Sequence, residues 1–500
     1  MISLNKQNLL STSALWIVLF SLFFVTRLVN YKIIPIFTDE AIYSYWAQVA
    51  LHDPANRYIS LVDGKQPLFI WLAAISQKFI ADPLVATRLV STISGFFAVI
   101  GIFLLTREIF DKKVAFLSSF LYIVLPFTLL YDRMALYDSL LTLFGIWSVY
   151  LSIKLAKKPA LDIAILNGVV LGLGLLTKSS AAFYISYIPF SLLFFNFKKT
   201  KRLQNLLKWF FFVLISVSIS EVMFNSLRLS PLFYIIGLKN YEFIRPFSQV
   251  IENPLLFFYP NMNAIFGWSA SYISAPLFSL LLLGAMYYIY KKNLKVLYLT
   301  ILIAVPLLFE ALFNKVLYPR FVLFYFSYAI IIIAYSIRNL HNNIKNYKIF
   351  VAIALTFLFI LPITKSFNLI TNPVYADIPD ADAGQYLNDW PAGYGVQEVI
   401  SILKGDSMSQ QVSIGTEGTF GLFPFALNIY FYSNNKVHIY SYWPVDGDRL
   451  PQQIMDISKT QKTYFVFNAN QNPITNPHLK FIGEYKKGVG NSYMRLYEII

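Results

Sequence analysis

Apolar residues in this chain gather into runs too long for an ordinary globular core. Runs of about 18 or more apolar residues recur along it, and a run of that length crosses the hydrocarbon layer of a bilayer as a helix. The pattern predicts spans over 13–29, 84–106, 114–130, 134–153, 161–176, 181–197, 209–225, 268–290, 296–313, 321–337 and 349–364, about eleven in all. Alternate connections carry Arg107, Lys112 and Lys113; Lys154, Lys157 and Lys158; Lys198, Lys199, Lys201, Arg202 and Lys208; Lys291, Lys292 and Lys295; and Arg338, Lys345 and Lys348. With these spans, all five basic connections fall on one side, and that side is the cytoplasm by the positive-inside bias. The expected N-terminus is therefore cytoplasmic, and the tail after Lys365 is exoplasmic. The run Ser13–Val29 lacks a small-residue cleavage site and reads as a retained anchor.

The exoplasmic segments differ in kind. Residues 30–83 form a long loop with two short amphipathic or re-entrant stretches, near 40–51 and 67–80. Residues 226–267 form a second long loop, rich in aromatics and proline. Beyond 365 the long apolar runs stop. Gly, Pro and Asn there frame a helix over Val396–Leu403 and strands over Gln411–Ile414, Ile429–Tyr432, Val437–Tyr440, Tyr464–Phe467 and Met494–Ile499. The expected organisation is a transmembrane domain over 1–365 and a small soluble exoplasmic α/β domain over 366–500.

Composition sharpens this picture. Hydrophobic residues make up 57% of the 500 residues, aromatic residues 18% and charged residues 13%. Soluble domains carry about 25% charged residues, so an ordinary soluble enzyme is excluded, and so is a disordered chain. The net charge of +15 matches basic cytoplasmic loops and calls for no nucleic-acid partner. The absence of cysteine excludes thiolate catalysis, disulfides and zinc–thiolate sites.

Candidate chemistry lies where ionisable residues break the membrane rules. The short outer loops hold Arg133, Lys178, Lys315 and Arg320; the long first loop holds Asp39, Glu40 and Lys65. Arg27, Arg88, Asp138, Glu221 and Glu310 fall in the exoplasmic half of spans. Ionisable groups are costly there and point to function by default. For any one of them, snorkelling or a structural ion pair is an equal account. As a set they predict a shared, outward-facing polar cavity. Basic residues near the headgroups suit a phosphate, a carboxylate beside them suits a general base, and apolar walls suit a lipid tail. In Phe37-Thr-Asp-Glu-Ala-Ile-Tyr43, Thr38 or Asp39 equally serves as the N-cap of the helix that follows, with Glu40 favouring its dipole.

Several ordered motifs resemble one family. They are Asp39-Glu40-Ala-Ile-Tyr-x-x-Trp-Ala; Asp63-Gly-Lys65-Gln-Pro67-Leu68 followed by Trp71-Leu72; Ala86-Thr-Arg88-Leu89; Arg133-Met-Ala-Leu-Tyr-Asp138; Gly172-Leu-Gly-Leu-Leu-Thr177-Lys178; and Tyr318-Pro-Arg320-Phe321. Together they resemble the GT-C membrane glycosyltransferases that use polyprenyl-phosphate sugars. Within these, the protein O-mannosyltransferase and aminoarabinose-transferase group (glycosyltransferase families 39 and 83) is the nearest likeness, over about residues 13–340. Gln66 stands in place of a proline, Ser179-Ser180 in place of Gly-Pro, and Phe321 in place of a tyrosine. These departures leave the subgroup, the sugar and the acceptor open.

The resemblance implies a GT-C fold and an inverting transfer of a mannose-like or aminoarabinose-like sugar. The donor would be a polyprenyl phosphate, and the acceptor a protein, glycan or lipid at the exoplasmic face of a cell membrane. It implies that Asp39 is the catalytic base and that Glu40 helps shape the site. Lys65, Arg133, Lys178 and Arg320 would hold the phosphate. Asp138 would orient Arg133 or touch the sugar. Arg88 and Tyr318 join the expected substrate-binding set. No cofactor is implied; a divalent metal at Asp39 or Glu40 stays open, and His52, His341, His438 and His478 are dispersed without ligand spacing. The competing reading is a transporter or flippase of a lipid-linked or anionic substrate. Transporter sites sit near the midplane between repeats. Here the charges crowd one face, and no repeat is visible.

Overall fold

Helices build most of the first 371 residues of the computed structural model, which describes residues 6–198, 200–344 and 348–500. Lys199 and Lys345 of the basic connections lie outside the described residues. Six helices are long and apolar enough to cross a membrane: Pro83–Ile109, Tyr137–Lys157, Arg202–Leu229, Leu294–Phe313, Pro319–Leu340 and Ile353–Thr371. Two bent pairs raise the number to eight if each is one span: Lys112–Val124 with Pro126–Arg133, bent by 60°, and Phe258–Ile273 with Ala275–Tyr290, bent by 117°. Six to eight such spans therefore stand where eleven were expected. Of the other three expected spans, the first lies in the 23-residue helix Lys6–Leu28, and the other two are the shorter apolar pieces Leu161–Leu175 and Ser179–Phe194. A helix of 15 residues, as in Leu161–Leu175, rises only about 22 Å, short of the ~30 Å hydrocarbon layer.

Local chemistry sets the helix ends. Asp82 caps the Pro83–Ile109 helix by accepting from the Val85 amide at 3.0 Å, and Pro83 occupies its first turn. Asp111 caps the next helix through the amides of Lys113 (2.7 Å) and Val114 (3.0 Å). That helix breaks before Pro126, which has no amide hydrogen to donate. The carbonyls freed at the break are met by side chains: Arg27 donates to Tyr122 and Ile123, and Thr128 donates to Tyr122 and Leu125. Asp132 neutralises Arg27 at 3.1 Å and also accepts from Ser139 and Tyr122. Both charges are fully buried. A Cβ at Gly95 would collide with the Asp132 carboxyl, so only glycine leaves room for it. Arg27, an intramembrane charge in the sequence, is thus the structural cap of a broken helix.

The expected first-loop stretches form the helices Thr38–His52 and Leu68–Gln77. The second long loop holds Ile235–Phe243 and Phe247–Glu252.

The last part of the chain carries a five-stranded sheet: β1 (Val412–Glu417), β2 (Val437–Tyr442), β3 (Lys462–Phe467), β4 (Leu479–Lys486) and β5 (Tyr493–Ile499). The order is β2-β1-β3-β5-β4, with β2, β1 and β3 parallel and β5 antiparallel to both β3 and β4. The Val396–Ser407 helix extends the expected one. Ile429–Tyr432, expected as a strand, instead ends the helix Leu422–Phe431. That helix is apolar nearly all round and is sandwiched between the sheet and the Thr38–His52 helix, so burial on both faces decides its form. β4 was not expected. It is an edge strand with Lys480, Glu484 and Lys486 and a partly exposed face, which erases the apolar alternation. Ile36, Ala41 and Leu84 join the apolar cluster of this sheet unit, so it is packed onto the start of the first loop.

Candidate functional site

The first-loop helix begins after Phe37, and Asp39 and Glu40 leave it in different directions. Glu40 accepts from the Phe37 amide at 3.0 Å, as a capping-box carboxylate does. Its two oxygens also take Arg88 Nε at 2.8 Å, Arg88 Nη2 at 2.7 Å and the Ala135 amide at 2.7 Å. Arg88 spends its remaining donors on the carbonyls of Tyr31, Ile34 and Pro35. The pair is fully buried and staples the loop to the Pro83–Ile109 helix and to the turn at Ala135. Asp39 caps nothing. Its Oδ2 accepts from Arg320 Nη1 at 2.8 Å, and it stays partly open to solvent.

Arg320 opens onto a cavity of about 590 Å³. Lys65, Asp138, Lys178 and Arg320 all line it; Asp39 is not one of its lining residues and is tied to it through the ion pair with Arg320. Lys65 follows Gly64, whose positive φ of 64° ends a short 3-10 turn; the Ile235–Phe243 helix lies so close that a Cβ there would strike the Ile235 carbonyl and Lys239. Lys239 pairs with Asp63 at 2.8 Å and so ties that helix to the same turn. Asp138, in the first turn of Tyr137–Lys157, takes Lys178 Nζ at 2.8 Å, and the same ammonium sits 4.3 Å from the Phe321 ring centre. Gln66 Nε2 donates to Ser179 Oγ at 2.8 Å, which joins the lysine turn to the Lys178 turn. Among the described residues, Lys65 is the cavity cation with no carboxylate at ion-pair distance. Burial pushes its ammonium below the usual range, while Asp39 and Asp63 pull it back. Phe183, Val305, Phe309 and Leu136 supply apolar wall.

Besides Asp39, four expected site residues, Glu40, Arg88, Arg133 and Tyr318, stand outside the cavity wall. Arg88 is the staple of Glu40. Arg133 does not reach the cavity: Nη1 donates to the carbonyls of Thr26, Arg27 and Val29 at 2.8–3.0 Å, and Nη2 to that of Asn30 at 2.8 Å. It caps the end of the first helix, whose last carbonyls have no intrahelical partner. Asp138 accordingly orients Lys178 and not Arg133. Tyr318 is half-buried outside the cavity wall, its ring 5.2 Å from the Arg320 guanidinium. Glu310 and Lys239, by contrast, line the cavity but were not in the expected set. The sequence held the signal for both: a carboxyl inside a span, and a lysine in an outer loop. Among the described residues, no group of three or more His, Asp or Glu side chains is placed to hold a metal ion.

Residues 64–223 match the family model of dolichyl-phosphate-mannose-protein mannosyltransferase. Among curated proteins none matches this chain in sequence. In fold the chain is similar to ArnT from Cupriavidus metallidurans in the apo state, with a TM-score of 0.56 and 11% identity over 98% of each chain. ArnT bound to undecaprenyl phosphate gives a TM-score of 0.55 at 11% identity, again over 98% of each chain. The apo oligosaccharyltransferase of Archaeoglobus fulgidus gives 0.51 at 13% identity, over 91% of this chain and 69% of that one.

Proposed function

We propose that this chain, which resembles the GT-C glycosyltransferases in sequence and has their helical fold with a small C-terminal sheet domain, is an inverting glycosyltransferase. It moves a sugar from a polyprenyl phosphate to an acceptor at the exoplasmic face of a cell membrane. The observation that carries this reading is the arrangement of cations on one wall: Lys178 and Arg320 are held by carboxylates, while Lys65 has none and is left for an anion. A phosphate on Lys65 with Lys178 alongside gains charge-assisted bonds in a site poor in water. The apolar wall receives the first isoprene units. ArnT is seen with undecaprenyl phosphate, which supports a donor of this class.

Chemistry then follows from position. Asp39 Oδ2 is fixed by Arg320, and among the described residues Oδ1 takes no hydrogen bond. Oδ1 removes the proton of an acceptor hydroxyl as that oxygen attacks the anomeric carbon. The bond from that carbon to the phosphate oxygen breaks on the opposite face. The leaving polyprenyl phosphate keeps the electron pair, so it needs charge stabilisation from Lys65 and Lys178 rather than a proton. If the sheet unit over 366–500 is exoplasmic, as the basic loops predict, it lies on the acceptor side. We take the first helix and the two shorter apolar pieces as further crossings, for eleven in all.

The test is turnover of polyprenyl-phosphate sugars (mannose, glucose, galactose and aminoarabinose) by the purified protein in nanodiscs, with an extract of outer-face glycans and proteins as acceptor. Release of polyprenyl phosphate coupled to a new glycosidic product is expected. Asp39→Asn is expected to lower that release by at least about 100-fold with an unchanged melting temperature. Substrate movement without a covalent product would mark a transporter instead.

A further inference from the structure

Glu310 is a cavity-wall carboxyl that the proposed mechanism does not use. It ends the Leu294–Phe313 helix, and Asn261 Nδ2 pins that end by donating to the carbonyls of Glu310 (3.2 Å), Ala311 (3.3 Å) and Asn314 (2.9 Å). Tyr325 OH donates to Glu310 Oε2 at 2.8 Å. Among the described residues Oε1 takes no hydrogen bond, and the side chain lines the cavity. The side chain is otherwise buried against apolar wall at Val305 and Phe309. Among the described residues, no cation lies within ion-pair distance of it; Lys178, already held by Asp138, is the positive charge that reaches it.

The structural carboxyls of this protein look different. Both oxygens of Glu40 and of Asp132 are engaged, and Glu417 takes the amides of Asn468, Ala469 and Asn470. The unmet oxygen of Asp382 is sealed from solvent. At Glu310 the vacant partner position is inside the cavity.

We infer that Glu310 is a specificity-determining residue, its free oxygen accepting a hydroxyl or amino hydrogen from the sugar ring of the donor. This rests on the proposed transferase reading. Of the donor's three parts, the phosphate is assigned to Lys65 and Lys178 and the isoprenoid has no hydrogen to donate; the ring is the part left that offers donors.

The experiment measures binding of two lipids, polyprenyl phosphate and polyprenyl-phosphate mannose, to the full chain in nanodiscs without acceptor. A second sugar-bearing lipid, the aminoarabinose one, separates amine from hydroxyl. Glu310→Ala is expected to weaken the sugar-bearing lipids about ten-fold and to leave the bare lipid unchanged. The isosteric Glu310→Gln, which keeps the helix end filled, is expected to weaken the amino sugar more than the neutral one. Parallel loss of all lipids, or no change in any, would overturn the assignment. So would an effect seen only once acceptor is added. A wild-type protein that binds none of the lipids would sink the transferase reading itself and this assignment with it.

Discussion

Lys65 and Arg133 are alike in sequence, each a basic residue in an outer loop next to a motif, but they end in different surroundings. Lys65 faces the cavity without a carboxylate, whereas Arg133 is consumed by four backbone carbonyls. Lys65→Met is therefore expected to raise KM for a polyprenyl-phosphate donor at least ten-fold with little change in melting temperature. Arg133→Met is expected to do the reverse, costing about 3 kcal/mol of stability, readable in a thermal melt. Burial holds the Lys65 ammonium below its ordinary range, so KM of the wild type is expected to climb as pH rises through that lowered value, and Lys65→Met to flatten the climb. The sequence made Asp39, Lys65, Asp138, Lys178 and Arg320 legible because a charge near a bilayer stands out. It could not separate Arg88 and Arg133 from them, because a charge spent on carbonyls and a charge left free read the same along a chain. Gln66 and Ser179, two departures from the expected motifs, meet only in three dimensions.

At the scale of elements, the break before Pro126 shows how charges are made tolerable among apolar helices. Arg27 serves the freed carbonyls, Asp132 neutralises Arg27, and Gly95 leaves space for Asp132. Gly95→Ala is expected to push the Asp132 carboxyl out of place and to cost more than about 2 kcal/mol in a melt. The sheet unit has its own buried amine. Lys487 donates to the Trp390 carbonyl and to Asn468 Oδ1, two acceptors for the two hydrogens of a neutral amine, and burial lowers its pKa from 10.5 to about 7. Between those values the unfolded chain binds a proton that the folded one does not. Stability of this unit is therefore expected to rise with pH, by up to about 1.4 kcal/mol per unit, and Lys487→Met to remove the slope. The long spans and β1, β2, β3 and β5 were legible from periodicity. The broken span at 179–194, the edge strand β4 and the helical Ile429–Tyr432 were not, since tertiary burial and helix breaks override local pattern there.

Across the whole molecule, the first loop and the last quarter of the chain complete one another. Thr38 donates through its amide and its hydroxyl to the Pro391 carbonyl, Phe37 bridges Ala392, and Gln48 donates to the Ile429 carbonyl. Tyr45 stacks on Phe425, and Trp46 lies against Phe420. The turn that aims Asp39 is thus held from the far end of the sequence, although every cavity-lining residue lies between Tyr43 and Phe321. A chain cut after Thr371 is expected to lose transfer activity in the nanodisc assay while keeping its helical circular dichroism. The aromatics Phe420 and Phe425 read in sequence as able to dock the last domain onto the membrane part, but their partners could not be read there, since the two halves of the clasp are 353 residues apart. That separation has a meaning for biosynthesis. At about 5–20 residues per second, the ribosome needs roughly 20–70 s to make Pro391 after Thr38. Through that interval Tyr45 and Trp46 lack the contacts that Phe425 and Phe420 give them, and the Thr38 turn lacks its Pro391 anchor. Completion of the first loop thus waits for a segment made much later, a built-in delay between insertion and the finished clasp.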